Sequence, residues 1–220
     1  MGKSMNIFYM HIPKTGGTSI RNAFLTTKLY VYPTNKNLKR QNGRYAPYKK
    51  TFNYLQSNTN KYDVFFNHIT YPQIQSIGGE YEIITLFRNP LRRTISHLKH
   101  LLSNQYIENK EITIEQIFKL HKNNLENLQS KYLGYNPKFN NINDVIQNLK
   151  NISTIGITEY MNESLERLNN SYGIELPKLH LNKSKVDDDI SNELKAAINK
   201  IINVDNVIYD IALESFEKTK

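Results

Sequence analysis

Three absences narrow the reading of this 220-residue chain before any motif is considered. It has no cysteine, which removes disulfides, thiolate metal sites and cysteine nucleophiles, and fits a reducing compartment. It has no long apolar run: the N-terminal stretch from Met5 to Met10 already contains Asn6. A membrane-crossing helix needs roughly 20 such residues, and a signal peptide needs a longer core with a small-residue cleavage site. The expectation is a cytoplasmic protein with no membrane partner. The third absence is local. Residues 1–62 contain no Asp or Glu but carry eleven of the 29 basic residues, leaving 18 against all 20 acidic ones in the rest. The excess of +9 therefore belongs to the N-terminal part, which argues for an anionic partner there.

What is present reads as an ordinary globular protein, 39% hydrophobic and 22% charged, long enough for one domain with a sizeable core. "MNIFYMHI" (Met5–Ile12), "KYDVFFNH", "EYEIITLFR" and "NISTIGIT" are short apolar runs rich in β-formers and predict four strands. Helices are expected between and after them. Thr18 or Ser19 can cap the first, and Asn89-Pro90 opens another with Leu91, Ile95, Leu98 and Leu102 on one stripe. Thr113 and Gln116 form a capping box for a helix through about Tyr132. Thr158 is expected to cap a helix ended by Gly173, and one or two helices follow Ser191. The stretch from Tyr30 to Lys61 is low in aliphatics and reads mostly as loop.

Near-continuous apolar strands alternating with helices imply an α/β, three-layer, P-loop-like fold, with a central parallel sheet flanked by helices. It is expected to form one domain over 1–220, with a variable basic loop region at about 30–60.

Ligands of open parallel sheets bind beyond the carboxyl ends of the strands. Lys14, His68 and Arg88 each follow a predicted strand at that edge. The first loop, "HIPKTGGTSI", has the parts for an anion. Gly16 and Gly17 allow close backbone approach, Thr18 and Ser19 add hydroxyls at a helix N-terminus, and Lys14 adds a charge. The lysine precedes the glycines, so this is not the G-x-x-x-x-G-K-[ST] loop of nucleoside triphosphatases. Nor does an acid end the "IITLF" strand to hold Mg²⁺; Arg88 stands there instead. A phosphate-like group handled without metal suits sulfuryl transfer, since a sulfuryl group carries less charge than a phosphoryl group. Arg88 and Ser96, eight positions apart, could clasp a second phosphate.

These motifs resemble those of sulfotransferases that use 3′-phosphoadenosine 5′-phosphosulfate (PAPS). "HIPKTGGTSI" is similar to their 5′-phosphosulfate loop and "LFRNPLRRTISHL" to their 3′-phosphate motif. "VFFNHITY", "IGITEYMNESLERL" and "LHLNKS" resemble the carbohydrate branch, the heparan sulfate 2-O and chondroitin-dermatan enzymes. The resemblance covers most of the chain outside about 30–60. It implies that Lys14 stabilises the leaving group and that Thr15, Gly16, Gly17, Thr18 and Ser19 cradle the 5′-phosphate. It implies that Arg88 and Ser96 bind the 3′-phosphate, that His68 is the general base, and that Lys183 and Ser184 close over the co-substrate. No metal is expected. The expected acceptor is an acidic carbohydrate gripped by the basic, tyrosine-rich 30–60 segment. Single-stranded nucleic acid is the less favoured partner, because the co-substrate motifs already account for part of the charge. A kinase using ATP and a non-catalytic nucleotide-binding protein remain as alternatives.

Overall fold

The computed structural model describes residues 6–32, 57, 61–106, 112–179 and 190–218. Most of the basic 30–60 segment, and Lys183 and Ser184, lie outside them. Five strands form one parallel sheet: β1 (Ile7–Met10), β2 (Val31–Tyr32), β3 (Val64–Asn67), β4 (Glu82–Phe87) and β5 (Thr154–Ile157). Their order is β2-β3-β1-β4-β5, so β1 is central and the chain crosses over it between β3 and β4. That crossing makes the carboxyl end of β1 the switch point, the place where sheets of this kind bind their ligands.

The four predicted strands are all present. β2 is an addition: Val31 and Tyr32 pair with Val64 and Phe65 at the sheet edge, in a stretch that reads as loop. Two residues are too few to show any alternation in sequence.

Strand residues divide between the faces by simple alternation. Ile7, Tyr9, Val64, Phe66, Ile84 and Leu86 pack on one side against α1 (Gly17–Leu25) and α7 (Met161–Tyr172). Phe8, Met10, Phe65, Ile83 and Phe87 pack on the other against α2 (Tyr71–Ile77), α6 (Ile142–Lys150) and α9 (Asn203–Lys218). Helix, sheet and helix are the three layers of an α/β fold. Both faces are covered, which is why the strands read as unbroken apolar runs. Side chains such as Phe24, Phe65 and Phe87 are essentially fully buried, each contributing about 2–3 kcal/mol.

A third cluster joins α3 (Pro90–Tyr106), α4 (Ile114–Leu125) and α8 (Asn192–Asn199) through Ile95, Leu98, Ile117, Leu125, Leu194 and Ile198. Asn89 caps α3 through Oδ1, accepting from the Arg92 N–H at 3.1 Å, with Pro90 in the first helical position. The Thr113–Gln116 capping box is formed on both sides. The helix it opens does not run to Tyr132. It stops at Leu125, Asn127 turns left-handed at φ 42°, and a short α5 (Leu128–Tyr132) follows. Asn127 instead accepts from the Val204 and Asp205 N–H groups at the start of α9, and that tertiary bond outweighs helix continuity.

Candidate active site

The loop between β1 and α1 is held by its own side chains before any ligand is considered. Thr15 is fully buried and its hydroxyl donates to the Ile12 carbonyl at 2.9 Å, so its hydroxyl shapes the loop. Lys14 and Gly16 are both left-handed, with φ 71° and φ 84°. Left-handed backbone at a non-glycine residue is strained, and around a glycine it turns successive N–H groups to a common side.

Helix α1 then starts without a side-chain cap. Neither Thr18 nor Ser19 caps it, contrary to the sequence reading, because the capping position falls on Gly16, which has no side chain. Thr18 and Ser19 sit inside the first turn, one exposed and one half-buried. The Ser19 N–H already donates to the Gly16 carbonyl at 3.0 Å, so the N–H groups of Gly17 and Thr18 face a ligand or solvent, the arrangement that suits an anion.

The two glycines answer to protein neighbours as well. A Cβ on Gly16 would lie 2.6 Å from Met161 Cε, and one on Gly17 would lie 2.1 Å from His11 Cδ2. The imidazole of His11 rests directly on Gly17.

His11 also holds His68. The Nδ1 of His68 is 2.7 Å from the His11 carbonyl oxygen, and the two rings stack with centroids 4.1 Å apart and planes 26° from parallel. A carbonyl can only accept, so Nδ1 of His68 carries the hydrogen and Nε2 the lone pair. His68 is exposed at the surface, yet the surrounding protein lowers its pKa, and the His11 carbonyl partly offsets this. Burial, then the charges of His68, Arg21 and Lys14, lower the pKa of His11 to about 3. Both rings are neutral near pH 7.

Arg88 follows β4 and reaches across to the first loop, its Nη1 donating to the Lys14 carbonyl at 3.1 Å. Burial, then the Arg88 charge, hold the Lys14 ammonium below its usual pKa. Two cations kept close at the carboxyl edge of a sheet fit an anionic ligand, whose charge would offset both. The Arg88 backbone is clamped by the buried Gln129 side chain, which accepts from the Arg88 N–H at 3.0 Å and donates to its carbonyl at 2.9 Å. Asp205, also fully buried, accepts from the Gln129 N–H, the Ser130 N–H and the Ser130 hydroxyl.

Two residues after β5 complete the edge. Thr158 was expected to cap the following helix. Its hydroxyl instead donates to the Thr15 carbonyl at 2.7 Å and the Phe87 carbonyl at 3.0 Å, joining the loop after β1 to the ends of β4 and β5, and Tyr160 occupies the capping position. Glu159 accepts from the Asn89 N–H at 3.0 Å and from the Tyr209 hydroxyl at 3.3 Å.

Ser96 is half-buried in the second turn of α3. Its neighbour His97 is pushed down to a pKa of about 4 by burial, then by the charges of Arg93, Lys14, His100 and His121. The turn of α3 carrying Ser96 thus runs within electrostatic reach of Lys14. The structure brings Lys14, Thr15, Gly16, Gly17 and Arg88 together, with His68 docked on the same loop.

Sequence reasoning missed His11, Gln129, Thr158, Glu159 and Asp205 as parts of this site. The rule that picked out Lys14, His68 and Arg88, a polar residue just after a strand, also selects Thr158 and Glu159. Gln129 and Asp205 carry no local signal, lying 41 positions or more from the residues they support.

A cavity of about 320 Å³, lined in part by Ser153, Thr154, Arg167, Ser171 and Phe216, opens near the amino end of β5. It lies at the opposite edge of the sheet from Lys14, His68 and Arg88. Among the described residues no cluster of His, Asp or Glu could hold a metal ion, and no helix is long and apolar enough to cross a membrane.

The chain is similar in fold to a sulfotransferase from Alicyclobacillus acidocaldarius, whose crystal structure superposes with a TM-score of 0.55 at 12% identity, covering 97% of each chain. No curated protein sequence matches it. The sequence profile of the sulfotransferase family matches residues 1–197. On that match, which spans well over half of its length, the chain belongs to the sulfotransferase family.

Proposed function

We propose that this sulfotransferase takes its sulfuryl group from PAPS and passes it to a hydroxyl of an acidic carbohydrate. The observation that carries the reading is the hydrogen bond from Arg88 Nη1 to the Lys14 carbonyl. It holds the Arg88 side chain, which follows β4, against the Lys14 backbone, which follows β1, beside a helix N-terminus without a side-chain cap. A donor with phosphates at both its 3′ and 5′ positions needs two anion sites a short distance apart, and this edge offers two.

In this reading the first-turn N–H groups of α1, with Thr15, Gly16, Gly17, Thr18 and Ser19, hold the 5′-phosphate. Arg88 and Ser96 hold the 3′-phosphate, and Lys183 and Ser184 close over the donor. The acceptor oxygen attacks sulfur, and the bond from sulfur to the 5′-phosphate oxygen breaks. The electron pair stays on that phosphate oxygen, where the Lys14 ammonium stabilises it. The acceptor proton goes to Nε2 of His68, which the tautomer leaves as the basic nitrogen. The desulfated donor, 3′-phosphoadenosine 5′-phosphate (PAP), is released. The acidic acceptor is inferred from the basic N-terminal part, and the whole chain is read as one catalytic domain.

Incubation with sulfur-labelled PAPS and a panel of acidic glycans tests this reading. Label is expected in a glycan, with one PAP formed per sulfate transferred. Phosphate transfer from Mg·ATP with no label transfer from PAPS would replace it with a kinase.

A further inference from the structure

Resting on the reading of His68 as base, we infer that His11 is the positioning residue of that base and Gly17 the position that makes room for it. Three contacts carry this. The His11 carbonyl lies 2.7 Å from His68 Nδ1, which fixes the hydrogen there. The His11 ring stacks on the His68 ring at 4.1 Å, which fixes its plane. The same His11 ring occupies the space a Gly17 side chain would need.

Glycine at position 17 thus serves the base as well as the phosphate loop. His11 itself is anchored as an extension of the sheet, its N–H donating to the Asn67 carbonyl at 2.8 Å. The base and the loop proposed to hold the donor become one rigid unit. A base must sit within hydrogen-bond reach of the proton it takes, and small displacements cost large factors in rate.

A ring used only for position needs no charge. Burial and the neighbouring His68, Arg21 and Lys14 charges keep His11 neutral near pH 7. Phenylalanine should then replace it with little loss, whereas alanine should not. A proton relay through His11 would require the ring nitrogens and would fail with phenylalanine too.

Nitrogen NMR of histidine-labelled protein with PAP bound reads the His68 tautomer without knowledge of the acceptor. Wild type and His11→Phe are expected to show His68 with its hydrogen on Nδ1. His11→Ala keeps the backbone carbonyl and is expected to keep that tautomer, but to lose the stacking that holds the ring plane, read as broadening of the His68 ring signals, with PAP affinity within about threefold of wild type. In the same variants, PAP release from PAPS with water as acceptor is expected to fall on the order of 10–100-fold for His11→Ala only. Should His11→Ala not fold, His11→Val removes the same stacking ring, suits the extended backbone there and carries the same expectation. Hydrogen on Nε2 in wild type, His68 ring signals as sharp in His11→Ala as in wild type, or equal loss of PAP release in His11→Phe and His11→Ala would each overturn the inference. His68→Ala separates the two levels: undiminished PAP release sinks the base reading, while the ring signals of the other variants still decide whether His11 positions His68.

Discussion

Arg88 and Lys14 meet through a hydrogen bond that ignores their like charge: the guanidinium Nη1 donates to the Lys14 backbone carbonyl at 3.1 Å. Lys14 is left-handed at that carbonyl, so Arg88 latches the strained residue of the loop while presenting its own charge beside it. Removing Arg88 should therefore be felt at both phosphate positions. Arg88→Ala is expected to erase the preference for PAP over AMP, with PAP binding weakened about 10–100-fold, the size of one or two charge-assisted hydrogen bonds. Arg88→Lys should recover little, since an ammonium lacks the planar fork. Calorimetry on the variants checks this, and an undiminished preference would place the 3′-phosphate elsewhere.

Lys14 has a different task in this account. Lys14→Ala is expected to lower turnover by roughly 100–1000-fold while changing PAP affinity far less, because the charge it meets develops as the bond breaks. Comparing kcat with the PAP dissociation constant in one variant decides the point. Equal losses would make Lys14 an anion anchor only.

The buried support behind Arg88 can be tested through stability. Asp205→Ala leaves the Gln129 N–H, the Ser130 N–H and the Ser130 hydroxyl without their acceptor. Each such loss costs about 1–3 kcal/mol, so a loss of about 3 kcal/mol or more is expected, lowering Tm by roughly 6–12 °C. Gln129→Leu should lower Tm as well and weaken PAP binding, because the Arg88 backbone loses both of its side-chain bonds. A wild-type Tm for Asp205→Ala would show the network to be dispensable.

His97 supplies a pH test whose sign follows from geometry. Its Nδ1 lies 3.3 Å from Arg93 Nη1, a group that can only donate, so His97 must be neutral to accept. An unfolded His97 takes a proton near its ordinary value of about 6.5; the folded one waits until about 4. Its contribution is complete above the unfolded value and is lost as pH falls from there toward 4. His97→Gln can still accept from Arg93 and should remove that slope. The wild type is expected to lose about 2 kcal/mol, or roughly 4–8 °C in Tm, relative to the variant across this window. Asp205, whose carboxyl burial pushes up, acts in the opposite sense in both proteins and cancels in the difference.

The four long strands were legible because burial on both faces writes itself as apolar runs, and the edge residues Lys14, His68 and Arg88 were legible because they end those runs. Asn89-Pro90 and the Thr113–Gln116 box were legible as local chemistry that no tertiary contact overrode. Elsewhere tertiary bonds won. Asn127 broke a helix in order to hold the start of α9, and Thr158 left its expected capping role to join Thr15 and Phe87. Gly17 was read as letting the backbone approach an anion, and the His11 ring that fills the space above it was not foreseen. Nothing in a sequence says which of two histidines 57 positions apart will stack.

The most direct measurement is calorimetric binding of PAP, AMP and ATP, each with and without Mg²⁺. PAP is expected to bind much more tightly than AMP or ATP, with no dependence on the metal. Preference for Mg·ATP, or no nucleotide binding, would contradict the assignment of Lys14 and Arg88 to the two phosphates of a sulfuryl donor.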